Sequence, residues 1–225
     1  LGIESSDKYF QDFLGYGLSG SVYGKRSKIE SFSLKNFTLK NPNVAFPDST
    51  YTLHARKFKD RNGSLAGNIL KRFNIIIDYQ RAIITLKKNS YFKDKFSYNK
   101  SGIELAHDGF RFVKEIDNEI SNKKTGLNKN NEVLNSTRFL INPDYKIALK
   151  PAYAIVELIE NSPAQRAGLL NGDIVLRINN LPTYKFSLQK LMRIFYDDAG
   201  KTIRLKVERN GELLNFVFKL EDLFK

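Results

Sequence analysis

Hydrophobic and polar positions form their clearest pattern in residues 162–181, which read SPAQRAGLLNGDIVLRINNL. Ser162 is a typical helix N-cap, and the proline that follows suits the first helical position, where a missing N–H costs nothing. We therefore expect a short helix over residues 163–167, ended by Gly168 in the left-handed conformation. Residues 174–178 alternate as a half-buried strand. This stretch predicts a helix followed by a turn and a strand.

The following residues predict a second helix and a closing hairpin. In residues 187–196, apolar side chains recur at helical spacing, which places Leu188, Leu191, Met192 and Phe195 on one face. Residues 201–208 and 212–220 read as two strands. The Asn210-Gly211 dipeptide between them is a strong signal for a tight hairpin turn.

The first half of the chain also predicts mainly strands. Residues 1–48 contain several short β patterns, and the glycine-rich stretch 15–20 reads as a hairpin loop. A phosphate-binding loop is disfavoured there, because no helical pattern follows the glycines. Residues 68–72 predict a short helix. The apolar runs 73–77 and 82–86 predict two antiparallel strands.

Composition limits the classes of function. The chain has 225 residues, a length that suits two domains, and 41% of them are hydrophobic. A run of about 18 apolar residues is absent from the sequence, so no membrane span is expected. The chain has no cysteine, which excludes disulfides and thiolate metal sites. His54 and His107 are its only histidines and lie far apart, so we expect no metal or other cofactor.

The net charge is +13, which favours anionic partners. The lysines are spread along the chain, so a lysine-rich surface is the favoured explanation, and we expect no nucleic-acid partner. Residues 87–100 interleave lysines with aromatic residues, a pattern that single-stranded nucleic acid can bind. We favour the interpretation that these aromatics dock an extended connector onto two flanking domains. A binder of anionic polymers remains a weaker alternative.

The order Ser-Pro-Ala, Ala-Gly-Leu, Gly-Asp and Ile-Asn within residues 162–181 resembles a PDZ domain in its bacterial, circularly permuted form. The resemblance implies that an extended peptide binds as an added strand between the second strand and the facing helix. The loop Ser101-Gly102-Ile103 would offer N–H groups to a terminal carboxylate, with Lys100 supplying a positive charge. The expected peptide-binding residues are Lys100, Ser101, Gly102, Ile103, Glu104, Leu105, Leu188, Leu191, Met192 and Phe195. An alternative is a groove filled by residues 118–144 or 220–225.

Residues 62–86, NGSLAGNILKRFNIIIDYQRAIITL, resemble the C-terminal half of a retropepsin-like aspartyl protease lobe. The glycine-rich hairpin would then match the flap, formed by Gly15, Tyr16, Gly17, Leu18, Ser19 and Gly20. Followed by a PDZ domain, this order resembles a bacterial family of aspartyl proteases. The catalytic Asp-Thr-Gly or Asp-Ser-Gly motif is absent from this sequence. Because this motif is absent, no residue of the chain is assigned a catalytic role. The family's usual glycine before the helix falls at Ala66, a second departure from the pattern.

These patterns predict a mainly β protein with few helices. Residues 1–92 are expected to form the C-terminal portion of a retropepsin-like lobe, and residues 93–225 a PDZ domain with a polar insert at about 118–144. The expected function is part of an aspartyl peptidase whose PDZ domain binds extended or C-terminal peptides. A non-catalytic peptide-binding scaffold is the alternative. The resemblance also implies a homodimer formed through the protease lobe, and a periplasmic or secreted location.

Overall fold

A computed structural model describes residues 8–17, 20–53, 57–116 and 145–224. The expected polar insert, His54, and the flap residues Leu18 and Ser19 lie outside these ranges. In the described part, the chain is mainly β with few helices, as predicted.

The N-terminal part is built from short antiparallel strands. They are β1 (Tyr9–Gly17), β2 (Gly20–Lys28), β3 (Ser31–Leu34), β4 (Phe37–Lys40) and β5 (Asn43–Pro47), followed by β6 (Phe73–Asp78) and β7 (Ile83–Lys88). Three of them form a sheet in the order β1-β2-β5, while β3-β4 and β6-β7 are separate hairpins. Short helices span Ser49–Thr52 and Gly67–Leu70. The second lies close to the helix expected over 68–72.

The C-terminal part is one larger sheet with two helices. Its strands are β8 (Ile103–Ile116), β9 (Tyr145–Leu158), β10 (Ile174–Ile178), β11 (Leu181–Pro182), β12 (Thr202–Arg209) and β13 (Glu212–Lys219). The strand order is β13-β12-β10-β9-β8, and β11 pairs with β10. Helices span Pro163–Arg166 and Leu188–Ile194. Both lie where the sequence predicts them, and β10 is the strand expected over 174–178.

Local capping explains why these two helices begin where they do. The Ser162 hydroxyl accepts a hydrogen bond from the Gln165 N–H at 3.3 Å. The Ser187 hydroxyl accepts one from the Lys190 N–H at 3.4 Å. Each N-cap thus satisfies an N–H group that has no partner within its helix. Gly168 has φ of 95°, the left-handed conformation expected after the first of these helices.

The core of the C-terminal part lies between the sheet and its helices. It contains residues from β8, β9, β10 and β12, together with Leu191 and Phe195. The side chain of Asp173 is 1% exposed at the edge of this core. Arg209 holds it through two hydrogen bonds, Nε to Oδ1 at 2.6 Å and Nη2 to Oδ2 at 2.7 Å. This pair fixes the Gly172-Asp173 turn onto β12.

The connector over residues 87–100 docks through its aromatic rings, as favoured above. It contains a 3-10 helix over Ser90–Lys93. Phe92 packs edge-to-face against Phe73 with ring centroids 5.5 Å apart, and the ring centroid of Phe96 lies 3.7 Å from the guanidinium carbon of Arg72. Tyr98 stacks on Phe10 at 5.7 Å, which joins the N-terminal sheet to the segment ahead of β8.

Within the described ranges, none of the helices is long and apolar enough to cross a membrane.

Candidate peptide-binding groove

The larger sheet has an edge at which a peptide could be added as a further strand. Among the described strands, β8 is the outermost, beside β9, and the helix Leu188–Ile194 packs against it. An edge strand keeps backbone groups on its outer side without a partner strand, so it can accept another strand. A helix beside such an edge supplies side-chain contacts to the added strand. β8 and this helix therefore form a candidate groove.

The predicted apolar residues divide into a floor and a rim. Ile103 and Leu105 on β8 and Leu191 and Phe195 beside them are all buried in the core, with exposed fractions of 2% or less. Leu188 and Met192 are only half-buried against that core. The structure thus brings all six predicted apolar side chains to one cluster, but Leu188 and Met192 are the ones that retain exposed surface.

The loop ahead of β8 differs from its expected role as an open carboxylate cradle. The backbone N–H groups of Ser101 and Gly102 donate to Asn99 Oδ1 at 3.0 Å and 3.3 Å, and the N–H of Ile103 donates to Ser101 Oγ at 3.0 Å. Side chains of the loop itself therefore already engage these donors.

Lys100 also differs from expectation. Its ammonium group donates to the backbone carbonyl of Asp197 at 2.7 Å, just beyond the C-terminal end of the groove helix. Burial lowers the pKa of this lysine. The ammonium group is thus engaged at the end of the groove helix instead of at the loop N–H groups.

Glu104 faces a second carboxylate across the β8–β9 pair, where its partner is Glu157. Burial raises the pKa of Glu104 to about 7; the Asp12 carboxylate adds to this shift, and Arg26 opposes it. Glu157 accepts a hydrogen bond from the Tyr23 hydroxyl at 2.6 Å. The first sheet therefore meets the second at a cluster of acidic side chains.

The glycine-rich stretch forms the expected hairpin. β1 and β2 pair from Tyr9 with Ser27 to Gly17 with Gly20, with a bulge between Phe13 and Gly15. Gly15 has φ of 132° and Gly20 has φ of 109°, conformations that favour glycine. Tyr16 is 65% exposed near the tip. The hairpin shape is thus observed, while its role as a protease flap stays a prediction.

A metal site finds no support in the described ranges, where no group of three His, Asp or Glu side chains is placed to hold an ion. His107 instead stacks against Tyr153 with ring centroids 4.8 Å apart.

The C-terminal tail contacts the segment ahead of β8. The Glu221 N–H donates to the Lys100 carbonyl at 3.2 Å, and the Leu223 N–H donates to the Tyr98 hydroxyl at 3.1 Å. The part of the expected tail that the structure describes, residues 220–224, is thus anchored beside the loop.

Comparison with known proteins identifies the C-terminal part. Residues 155–209 match the family model of the PDZ domain. This match covers β10, β12 and the groove helix, so the chain contains a PDZ domain, as the sequence predicted. The match does not reach the N-terminal part.

A curated relative from Treponema pallidum (strain Nichols), named "Putative zinc metalloprotease", is 34% identical over 67 residues. Those residues are 30% of this chain and only 14% of that protein. Similar solved structures include the HtrA-type protease AlgW with a decapeptide, in two forms. They are 12% and 13% identical to this chain, each with a TM-score of 0.30. They cover 98% and 95% of this chain, and 60% and 53% of their own. A TM-score this low does not indicate a shared overall fold.

Asn99 is a residue of this site that the sequence patterns did not predict. An asparagine two positions before Ser101 is the usual signal for a side chain that caps a turn. That signal was hidden because Asn99 falls in the lysine-rich and aromatic connector.

Proposed function

We propose that this chain binds extended peptide segments as an added strand along β8, within a protease-associated protein. The observation that carries the proposal is the position of β8 at the sheet edge beside the helix Leu188–Ile194. The backbone of β8 supplies hydrogen bonds of low sequence preference, while the helix supplies selective side-chain contacts.

Selectivity comes mainly from apolar burial. Leu188 and Met192 retain exposed surface above the buried floor and are the side chains that a bound peptide covers. Fully burying one aliphatic side chain contributes about 1.5–3 kcal/mol. An exposed charge contact contributes only about 0–1 kcal/mol. The preferred peptides are therefore those with apolar residues facing the helix.

The finer proposal is that the parent protein is an aspartyl peptidase. The β1–β2 hairpin, the helix Gly67–Leu70 and the β6–β7 hairpin occur in the order that the retropepsin resemblance implies. The circularly permuted PDZ order is supported by β8, which comes first in its sheet and is also the groove strand. The Treponema relative is named a zinc metalloprotease, so it supports an association with proteases and not the aspartyl class. A periplasmic or secreted location rests on the family resemblance.

A homodimer through the N-terminal part belongs to the same proposal, because an aspartic dyad needs two catalytic loops. Ile76 and Ile84, on opposite faces of the β6–β7 hairpin, are 68% and 63% exposed. Large exposed apolar side chains are typical of interaction surfaces. The non-catalytic scaffold remains the alternative, since the sequence lacks the catalytic motif.

The test of the groove is a titration of fluorescent peptides with apolar C-terminal residues against wild type and Met192→Glu. We expect Met192→Glu to weaken binding by about tenfold or more, because it places a charge on the apolar rim. Leu191 is unsuitable as the tested residue, since its burial makes an acidic substitution destabilising.

Gln189→Glu is the matched control, since Gln189 is exposed on the same helix and outside its apolar face. It adds the same charge and is expected to leave affinity unchanged. Equal affinity of wild type and Met192→Glu would show that the groove is not the binding site.

A further inference from the structure

The loop ahead of β8 contains a hydrogen-bond network centred on Asn99. We infer that the Asn99 side chain occupies the position of a peptide carboxylate, so that the groove binds an extended segment whether or not the segment ends there. This inference rests on the proposed function and specifies the class of peptide that the groove accepts.

Three donors converge on one oxygen of Asn99. Its Oδ1 accepts from the Ser101 N–H at 3.0 Å, the Ser101 hydroxyl at 2.8 Å and the Gly102 N–H at 3.3 Å. An amide oxygen has two lone pairs, so this set of donors saturates it. It is also the kind of donor set that a carboxylate oxygen would require. The Asn99 oxygen thus already receives the hydrogen bonds that a bound terminus would need.

The first residue of β8 is engaged in the same way. The Ile103 carbonyl accepts from Asn99 Nδ2 at 2.5 Å, and its N–H donates to Ser101 Oγ at 3.0 Å. On the other side of the strand, the Gly102 carbonyl accepts from the Ile159 N–H at 2.9 Å. Because backbone groups alternate along an antiparallel strand, those of Ile103 point toward the free edge. Strand addition must therefore begin beyond Ile103.

The loop is also fixed from behind. Gly102 has φ of 82°, and a Cβ placed on it would lie 2.2 Å from the Ser162 Cβ. The Ser101 carbonyl accepts from the Ala164 N–H at 3.1 Å, in the helix that follows Ser162. The backbone therefore has little room to reorganise. A carboxylate can enter only by displacing the Asn99 side chain.

Charge in the loop does not favour that displacement. The nearest expected cation, Lys100, donates to the Asp197 carbonyl at 2.7 Å. The residue after Ile103 is acidic, and it faces Glu157 across the strand pair. A carboxylate that displaced Asn99 would lose hydration, and the adjacent lysine already donates to a backbone carbonyl. A neutral peptide backbone carries no charge that would have to be dehydrated.

The first experiment compares eight-residue fluorescent peptides ending in Leu, Val or Phe, each made as the free carboxylate and as the C-terminal amide. For wild type we expect the two forms to bind within twofold of each other in fluorescence anisotropy. In Asn99→Ala the loop donors become available, and we expect the carboxylate form to bind about tenfold more tightly than the amide, as charged hydrogen bonds predict. A tenfold carboxylate preference in wild type would overturn the inference.

Asn99→Asp is the second variant, and it keeps an acceptor where Asn99→Ala keeps none. Its negative charge is expected to weaken carboxylate peptides and to leave amide peptides unaffected. If the proposed function itself is wrong, the result differs: Met192→Glu binds both the carboxylate and the amide peptides as tightly as wild type does.

A second measurement needs no peptide binding. By NMR we expect the amide hydrogens of Ser101, Gly102 and Ile103 in wild type to exchange slowly and to show no shift when acetate is added. In Asn99→Ala they should exchange faster and shift with acetate. Fast exchange together with acetate-induced shifts in wild type would show that the loop is open and would overturn the inference.

Discussion

At the residue scale, Glu104 shows how the junction between the two sheets sets a charge state. Burial is the main cause that raises its pKa to about 7, and the Asp12 carboxylate contributes. The other groups facing this junction are Arg26, Glu157, Tyr23 and Tyr196. Arg26 pairs with Asp12, and the Tyr23 hydroxyl donates to Glu157. The charge of Glu104 therefore finds little compensation.

The raised pKa makes stability depend on pH. The ordinary pKa of a glutamate, which applies to the unfolded chain, is 4.5. Between that pH and about 7 the folded protein retains a proton that the unfolded chain releases. The stability contributed by protonated Glu104 is complete below the unfolded pKa and is lost as pH rises to the folded pKa. At higher pH the folded state carries the cost of a partly buried charge.

We therefore predict that Glu104→Gln raises the free energy of unfolding by about 1–2 kcal/mol more at pH 8 than at pH 4, a value that allows for solvent screening. Urea denaturation at a series of pH values measures this. Glu212→Gln, at an exposed position in the last hairpin, is the control and should show no such difference. A Glu104→Gln effect that is the same at pH 4 and pH 8 would contradict the assignment.

At the element scale, the features that local sequence controls were predictable. Ser162 and Ser187 cap the expected helices, and the Asn210-Gly211 turn joins the two expected strands. Each depends on neighbours a few positions away. The Asn99 network was missed because its role depends on Ile103 lying at a sheet edge. Edge position is set by the pairing of distant strands, which local pattern does not record.

β8 also shows why an apolar pattern alone does not predict burial. Phe110, Phe112 and Ile116 alternate like core residues, yet they are 70%, 76% and 53% exposed. β10 pairs with β9 only at Ala154. In the outer half of the β8–β9 pair, each strand is therefore paired only with the other. The opposite face is held toward β12 through Arg111 and Glu208, whose charged groups lie 2.9 Å apart.

The two halves of β8 should therefore respond differently to the same type of truncation. We predict that Leu105→Ala, at a side chain 2% exposed, lowers the free energy of unfolding by about 2–5 kcal/mol. Phe112→Ala, at a side chain 76% exposed, should change it by about 0.5 kcal/mol or less. Chemical denaturation of both variants measures the contrast. A large loss in Phe112→Ala would show that the outer hairpin is covered in solution.

At the scale of the whole molecule, aromatic and polar contacts join the N-terminal sheet to the C-terminal part of the chain. Phe10 packs edge-to-face against Phe224, with ring centroids 5.1 Å apart, and also contacts Tyr98. Asn43 donates to the Ser97 carbonyl at 2.9 Å. These contacts place the acidic junction of Asp12, Glu104 and Glu157 between the two parts. The docking of the connector's aromatic residues was predicted, but the residues they contact followed from no local pattern, since each contact joins residues far apart in sequence.

The junction bears on whether this chain can hydrolyse peptides. An aspartic dyad needs two carboxylates that share one proton and activate a water molecule. The charges of Asp12 and Glu104 interact, but Asp12 accepts a hydrogen bond from Arg26 Nε and is held as an ion pair. The sequence also lacks an Asp-Thr-Gly or Asp-Ser-Gly loop.

We therefore predict that the purified chain does not cleave peptides. The measurement is turnover of a fluorogenic peptide library between pH 4 and 7, with a known pepstatin-sensitive peptidase as positive control. Cleavage by this chain that pepstatin inhibits would show that a functional dyad forms from other carboxylates.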